Sequence, residues 1–467
     1  MNKSLLIVLS GIGLVLGGCS LAPEYIKPEV PVPARWPAGP AYGKISPDAP
    51  AAAELKWREF FADERLQKVI ETALDNNRDL RLAALNVERA RAIYGIQRAE
   101  LYPAVNAVGT GGKLRQSVDL IQPGSARTQQ QYSVDLGIAA WEIDFFGRIR
   151  SLSDQALEEY LATDEARRGA RIALVAEVAR VYLTLAADRE NLKLTQSALE
   201  TQHASYGLVK KRYDVGLATE LDLKRAQIPL DTARGDVARF TQLVAQDQNA
   251  LTLLAGSQVP EEWLPLDLDR VTSPREISAS LSSEVLLYRP DIIAAEHRLK
   301  GAYASIGAAR AALFPRISLT TSIGTASNQL SRLFDSGTGT WAFIPQFVMP
   351  IFDARVWAAL RVSKTDQTIV LTQYEKTIQT AFREVADALA VQGTIDEQVA
   401  AQQSLVAAVA DTYSLSMKRY TKGIDNYLGV LDAQRSQLAA QQGLVALRLA
   451  KVANQVRLYA VLGGGAE

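Results

Sequence analysis

Residues 77–103 read NRDLRLAALNVERARAIYGIQRAELYP, and residues 289–315 read RPDIIAAEHRLKGAYASIGAARAALFP. At a constant offset of 212 the two stretches match Asp79 with Asp291, Gly95 with Gly307, Ala99 with Ala311, Leu101 with Leu313 and Pro103 with Pro315. Further along, Lys211-Arg212-Tyr213, Gly216, Leu221, Ala226 and Gln227 recur as Lys418-Arg419-Tyr420, Gly423, Leu428, Ala433 and Gln434, at an offset of 207. The chain is a tandem duplication. With only two copies it is not a solenoid, which stacks many short units.

Each copy presents the same succession of local signals. A helical stretch over about 65–100, echoed over about 283–313, closes at Tyr102-Pro103 or Phe314-Pro315, because the residue before proline is pushed out of helical geometry. Alternating runs follow. In the first copy Tyr132, Val134, Leu136, Ile138 and Ala140 alternate with Ser133, Asp135, Gly137 and Ala139. In the second, Ile317, Leu319, Thr321 and Ile323 form one run and Trp341, Phe343, Phe347 and Met349 another. This period of two predicts strands, two per copy; segments of about ten residues with one apolar face suit a membrane barrel and a soluble sheet alike.

Residues 124–228 and 351–467 then contain no proline and are dense in helix formers. Val178, Leu185, Leu192, Leu199, Tyr206 and Tyr213 recur at the seven-residue coiled-coil period, with Val385, Gln392, Val399, Val406, Tyr413 and Tyr420 as the matching set. Helices over about 151–213 and 355–420 would each be ~95–100 Å long at ~1.5 Å per residue. Each ends at a glycine-bearing turn, and return helices follow over about 219–255 and 425–461. Pro229 predicts a kink or local break in the first of these.

Composition narrows the function. A chain of 467 residues exceeds the size at which one compact core stops growing. Fifty-one basic residues balance 51 acidic ones, so there is no electrostatic case for nucleic acid. Two His, three Met and one Cys cannot supply the usual ligand sets for zinc, copper or iron–sulfur centres, and no cofactor is implied. His203 and His297 have no second ligand at metal spacing and read as structural. Gly109-Thr110-Gly111-Gly112 and Gly337-Thr338-Gly339 read as loop or strand-end glycines, since no Lys-Ser or Lys-Thr follows to make a phosphate loop. No His is placed for an obvious Ser or Cys nucleophile, so the chain reads as no enzyme.

Residues 1–18 hold Lys3 and an apolar run from Leu5 to Leu16, which reads as a signal peptide. It ends Leu16-Gly17-Gly18-Cys19-Ser20, an order resembling the bacterial lipoprotein processing box, so Cys19 would carry lipid such as palmitate and become the mature N-terminus. Eight of the 18 prolines lie between Pro23 and Pro50, in a stretch expected to run extended and solvated along the surface. The expected organisation is a leader over 1–18, a lipid-anchored tether over 19–60, a first repeat over 61–260, a linker over 261–282 and a second repeat over 283–464. Four strands cannot close a membrane barrel, for which about eight is the minimum, and open edges are not tolerated in lipid. If the strands enter a membrane, the chain must oligomerise.

Four segments together resemble the TolC-like outer-membrane channels, in the lipoprotein branch serving resistance-nodulation-division drug efflux pumps. They are Trp141-Glu142-Ile143-Asp144-Phe145-Phe146-Gly147-Arg148, Arg289-Pro290-Asp291, Ile306 through Pro315, and Asp425 through Arg435. The resemblance spans essentially the whole mature chain. It implies a mixed α/β membrane protein: a homotrimer whose chains supply four strands each to a twelve-stranded outer-membrane barrel, continuous with a twelve-helix periplasmic coiled-coil barrel. It further implies contact with outer-membrane lipid and docking onto a periplasmic adaptor and an inner-membrane transporter, the channel being a passive gated duct.

A return helix beginning at 425 would place Asp425 and Asp432, seven apart, on one face with Leu428 between them. In a trimer each acid becomes a ring of three, in which carboxylates ~6 Å apart repel by about 1–3 kcal/mol per pair. Such a ring filters for cations, and Leu428 would form an apolar constriction. The resemblance places the periplasmic aperture at this segment, with Tyr427 beside it. Gly429 stands where an aperture aspartate is expected. Read without the resemblance, the two acids are a helix-start charge and a solvated flank, and the tyrosines are packing residues. Gly216, Leu217 and Ala218, with Gly423 and Ile424, are helix caps on their own terms and adaptor-docking tips by resemblance. Two other readings stay open: a periplasmic coiled-coil lipoprotein scaffold, and the same channel serving metal-ion or peptide export.

Overall fold

The computed structural model describes residues 20–42, 50, 52, 55–122, 124, 126–278 and 282–465. The expected leader and Cys19 lie outside the described residues. After a single helical turn at Trp57–Phe60, the first copy runs α1 (Glu64–Asn76), α2 (Arg78–Ala99), β1 (Val105–Arg115), β2 (Thr128–Glu142), α3 (Arg148–Asp214) and α4 (Glu220–Ala255). The second runs α5 (Pro290–Ala311), β3 (Arg316–Ser327), β4 (Gly339–Val348), α6 (Ala354–Thr421) and α7 (Leu428–Val461). At 67 and 68 residues, α3 and α6 are each about 100 Å long. Helix α4 runs unbroken through Pro229, so the local break expected there does not occur. None of the described helices is long and apolar enough to cross a membrane.

Two compact units emerge, and each draws on both copies of the repeat. One holds the chain up to Glu29, Asn86–Thr163 and Ala294–Tyr374; the other holds Val30–Leu85, Asp164–Ile293 and Glu375–Glu467.

The first unit contains an antiparallel sheet in the order β1-β2-β3-β4, so strands of the two copies meet at β2 and β3. Register and alternation put Val105, Leu136, Ile138, Ile323, Trp341 and Phe343 on one face, with Asn106, Thr110, Ser133, Asp135, Ser322 and Thr340 on the other. The Thr110 and Ser133 hydroxyls hydrogen-bond at 2.7 Å across that polar face. The apolar face is bare: Trp341 is 79% and Phe347 63% exposed.

Two features depart from the alternating pattern. Ala140 does not continue the Ile138 face, because β2 carries one extra residue between Ile138, opposite Thr321, and Trp141, opposite Leu319. Ala140 takes φ +52° and its N–H donates to Thr320 Oγ1 at 3.1 Å. The bulge resets parity, so Trp141 lands on the apolar face and Glu142 on the polar one. The glycines at 109, 111 and 112, expected as loop or strand-end residues, lie inside β1. Gly111 is occupied from across the pair: the Tyr132 ring lies 3.1 Å from where a β-carbon would stand, covering the strand that glycine leaves bare.

The Pro-rich segment runs extended but is pinned at intervals rather than merely solvated. In the first unit Leu21 O accepts from Arg310, Tyr25 packs edge-on against Tyr303, and Ala22 sits over Gly307. In the second, Trp36 stacks on Phe382 at 5.2 Å and the Pro33 carbonyl accepts from Ser283.

The core of the second unit gathers around Tyr459, which stacks on Phe60 at 4.0 Å and donates to Leu55 O at 2.7 Å. Here the duplication reappears as an equivalence of contacts. Asn77 Nδ2 donates to Leu254 O, and its counterpart Arg289 donates to Val461 O, the two carbonyls being 207 residues apart like the repeat itself. Gly256 and Gly463 follow with φ +68° and +84°, so the same joint ends both return helices.

Candidate functional site

The tips of the hairpins lie in the second unit and are built twice. Gly216 N–H donates to Tyr213 O and Leu217 N–H to Arg212 O; Gly423 N–H donates to Tyr420 O and Ile424 N–H to Arg419 O. Each is a paired cap that needs a left-handed residue, and Gly216 and Gly423 supply it at φ +77° and +72°. Capping leaves Leu217 and Ile424 outward, 70% and 59% exposed, with Ala218 following Leu217 into the loop.

Beyond the caps the copies diverge. Thr219 and Asp222 form a reciprocal capping box at the start of α4. In the second copy the corresponding positions are Asn426 and Gly429; Asn426 Oδ1 accepts from Leu428 N–H at 3.2 Å, and α7 begins only at Leu428. Asp425 therefore precedes the helix and does not share a helical face with Leu428 and Asp432, contrary to the seven-residue spacing. Its carboxylate folds back onto Arg419, whose Nε and Nη2 donate to it at 2.5 and 2.9 Å. That fork holds the Asp425 carboxyl below the usual carboxylate range. Asp432 is on α7 and accepts from Arg435 one turn on. Both acids thus carry a guanidinium of their own.

Arg212 is the counterpart of Arg419, but the position corresponding to Asp425 is Ala218, which offers no carboxylate. Arg212 donates instead to the Tyr420 hydroxyl at 3.0 Å, linking one tip to the other. The Tyr420 and Tyr427 rings pack at 5.0 Å, and burial pushes the Tyr427 hydroxyl up.

Behind the tips a cleft of about 620 Å³ opens between α3, α4 and α7, lined by Leu428, Leu431 and Asp432 together with Ala198, Ile228 and Arg225. Its floor carries a polar chain that sequence reasoning missed. Buried Gln202 donates to Gln434 Oε1 at 3.0 Å, and Gln434 Nε2 donates to the Tyr413 hydroxyl at 3.3 Å, joining α3, α7 and α6. Gln227 and Gln434 stand out in the repeat, but nothing in the sequence tells that only the second is buried. Of the two histidines, His203 is exposed and His297 Nδ1 lies 2.6 Å from Glu158. Among the described residues no group of three or more His, Cys, Asp or Glu side chains could hold a metal ion.

A sheet with one apolar and one polar face, whose strand pairs each lead into a helical hairpin with a first helix of about 100 Å, defines the outer-membrane channel class. The family described as "Outer membrane efflux protein" matches residues 69–257 and 281–464, and the chain belongs to it. It is 49% identical to the probable efflux pump outer membrane protein TtgC of Pseudomonas putida, covering 100% of this chain and 96% of that one. With outer membrane protein OprJ of Pseudomonas aeruginosa the identity is 41%, over 97% and 94%. Among solved structures, the open state of the Neisseria gonorrhoeae MtrE outer membrane channel superposes with TM-score 0.85 at 38% identity, covering 96% of this chain and 99% of that one. A membrane protein from Pseudomonas aeruginosa gives TM-score 0.87 at 40% identity, over 95% and 100%. The chain is an outer-membrane efflux channel.

Proposed function

We propose that three copies of this chain close a twelve-stranded barrel and a twelve-helix periplasmic tunnel, and that the assembly is the passive, gated exit duct of a tripartite drug efflux pump. The observation that carries this reading is the sheet itself. Its apolar face suits lipid, yet β1 and β4 each leave one edge unpaired within the chain, and lipid admits no open edges. Joining β4 of one copy to β1 of the next satisfies both. The efflux of antibiotics or solvents named for the relatives supports toxic small molecules as the cargo.

In this reading Asp425, Tyr427, Leu428 and Asp432 form the periplasmic gate. Because Asp425 pairs with Arg419 and Asp432 with Arg435, the closed gate is a belt of ion pairs rather than bare carboxylates, which lowers the repulsion expected of an acidic ring. The apolar tips at Leu217 and Ile424, held out by the caps at Gly216 and Gly423, are the adaptor-docking points, with an inner-membrane transporter beyond. Cys19 is the lipidated N-terminus and the stretch after it the tether.

Single-channel conductance in a planar bilayer, comparing wild type with Asp425→Ala plus Asp432→Ala, tests the duct and the gate separately. A small cation-selective conductance that grows in the double variant is expected. Unchanged conductance would move the gate elsewhere, and no conductance from a folded sample would overturn the duct.

A further inference from the structure

The apolar face of the sheet ends, toward the hairpin loops, in a short basic row. Counting by twos along β1 from Val105 through Gly109 and Gly111 brings the same face to Lys113 and Arg115, opposite Gln130 and Thr128. Arg127 continues the hairpin opposite Gln116, its carbonyl accepting from the Gln116 N–H at 2.9 Å, and so alternates onto the other face. Lys113 and Arg115 are exposed, and neither has a side-chain hydrogen bond or ion pair among the described residues. Between Val105 and Tyr132 the only acid is Asp119. The second hairpin differs: its Arg332 is held by Asp335 at 3.1 Å.

Height in the membrane follows from the neighbours. Tyr132 stands opposite Gly111, one row below Lys113, and Trp341 lies near the same end of β4 on the same face. Such rings collect at the boundary between hydrocarbon and headgroups. Rows two residues apart along a strand are separated by about 7 Å, so Lys113 and Arg115 stand about 7 and 14 Å beyond the aromatic row, at headgroup level. All four helix junctions lie at the opposite end of the sheet, which puts this end outside the cell.

We propose that Lys113 and Arg115 form a contact for phosphate groups on the headgroups of outer-leaflet lipid. The proposal rests on the barrel reading above, with the hairpins facing the exterior. Two unpaired cations on a lipid-facing edge have little reason to remain there without an anionic neighbour, and phosphate is the anion at that depth. Each cation near an anionic surface contributes about fivefold in affinity, so neutralising both weakens binding roughly 30-fold.

The test uses the full-length protein in neutral detergent micelles doped in turn with bisphosphorylated lipid A, dephosphorylated lipid A, phosphatidylglycerol or inorganic phosphate, and reads the thermal unfolding midpoint. The bisphosphorylated lipid is expected to raise the midpoint of the wild type and of a charge-retaining K113R/R115K variant, but not of K113Q/R115Q. An equal rise in the glutamine variant would overturn the proposal. So would an equal rise with dephosphorylated lipid A or with free phosphate; a rise with phosphatidylglycerol that the glutamine variant lacks supports the contact, since that headgroup carries a phosphate too. Conductance of the same samples separates the two readings: intact channels with no charge-dependent rise sink the lipid contact alone, whereas a wild type that forms no channels sinks the barrel and the contact with it.

Discussion

Replacing Gln434 with leucine removes the middle of the Gln202–Gln434–Tyr413 chain while keeping the side-chain volume. Gln202, only 8% exposed, then loses its partner on α7, and Tyr413 on α6 loses a longer contact of 3.3 Å. An orphaned buried amide costs ~1–3 kcal/mol and a lost neutral hydrogen bond ~1, so destabilisation of the packed tips by about 2 kcal/mol is expected. If the helices separate at this level when the duct opens, that energy shifts the equilibrium by roughly 30-fold. A duct open roughly 1% of the time would then be open roughly a quarter of the time. Open probability in planar bilayers reads this directly. Adding Gln202→Leu should recover part of the loss, because removing both partners leaves no orphan. An open probability and unfolding midpoint equal to wild type in Gln434→Leu would refute the reasoning. A double variant worse than the single would show that the orphaned amide is not the cause.

Asp247 on α4 is pushed up to about 6 by burial, with Asp188 on α3 adding repulsion and Arg180 opposing; Arg239 on α4 acts on Asp188. Its raised value means that its contribution to stability is present below its ordinary 3.8 and is lost as pH rises through about 6. Asp247→Asn should therefore flatten the pH dependence of the unfolding midpoint between those values and stabilise the protein at pH 7 by about 1 kcal/mol after allowance for solvent screening. Gly307→Val places carbon where a β-carbon would already lie 2.7 Å from Ser151 Oγ and 2.8 Å from Ala22 Cβ. The cost is ~1–3 kcal/mol, and limited proteolysis should cut at Lys27 faster than in wild type. Arg289→Met strands Glu384 and the Val461 carbonyl, both bound by an arginine side chain only 12% exposed. A loss of about 2–3 kcal/mol is expected, seen as a lower midpoint in thermal unfolding, with Arg289→Lys recovering only part because it cannot reach both partners as a fork.

Much of this molecule is legible along the chain, for reasons that are local. Helix propensity over proline-free stretches, the glycine that each cap needs and the period of the apolar residues depend on neighbours a few positions away, so α3 and α6 fall within three residues of their expected ends. The duplication is legible too, because two copies under one set of packing demands keep the same landmarks. What escaped reading was decided between distant segments. Strand β1 is hidden by its three glycines, of which Gly111 borrows its side-chain cover from Tyr132 on another strand. The bulge at Ala140 is fixed by Thr320, 180 residues away, and it alone sets which face Trp141 presents.

At the candidate site the division is the same. Sequence by itself determined the turns, their exposure and the presence of acids near a helix start. Only the tertiary structure decided that Asp425 turns back to Arg419 instead of joining the face of Asp432, since α7 begins only at Leu428, whose N–H is taken by Asn426 Oδ1, and Asp425 lies before it. Only the fold decided that Gln434 is buried while its repeat partner Gln227 is half-buried. Charge, period and propensity are properties of a stretch of chain; partnership is a property of the space into which the chain folds, and no local signal specifies it.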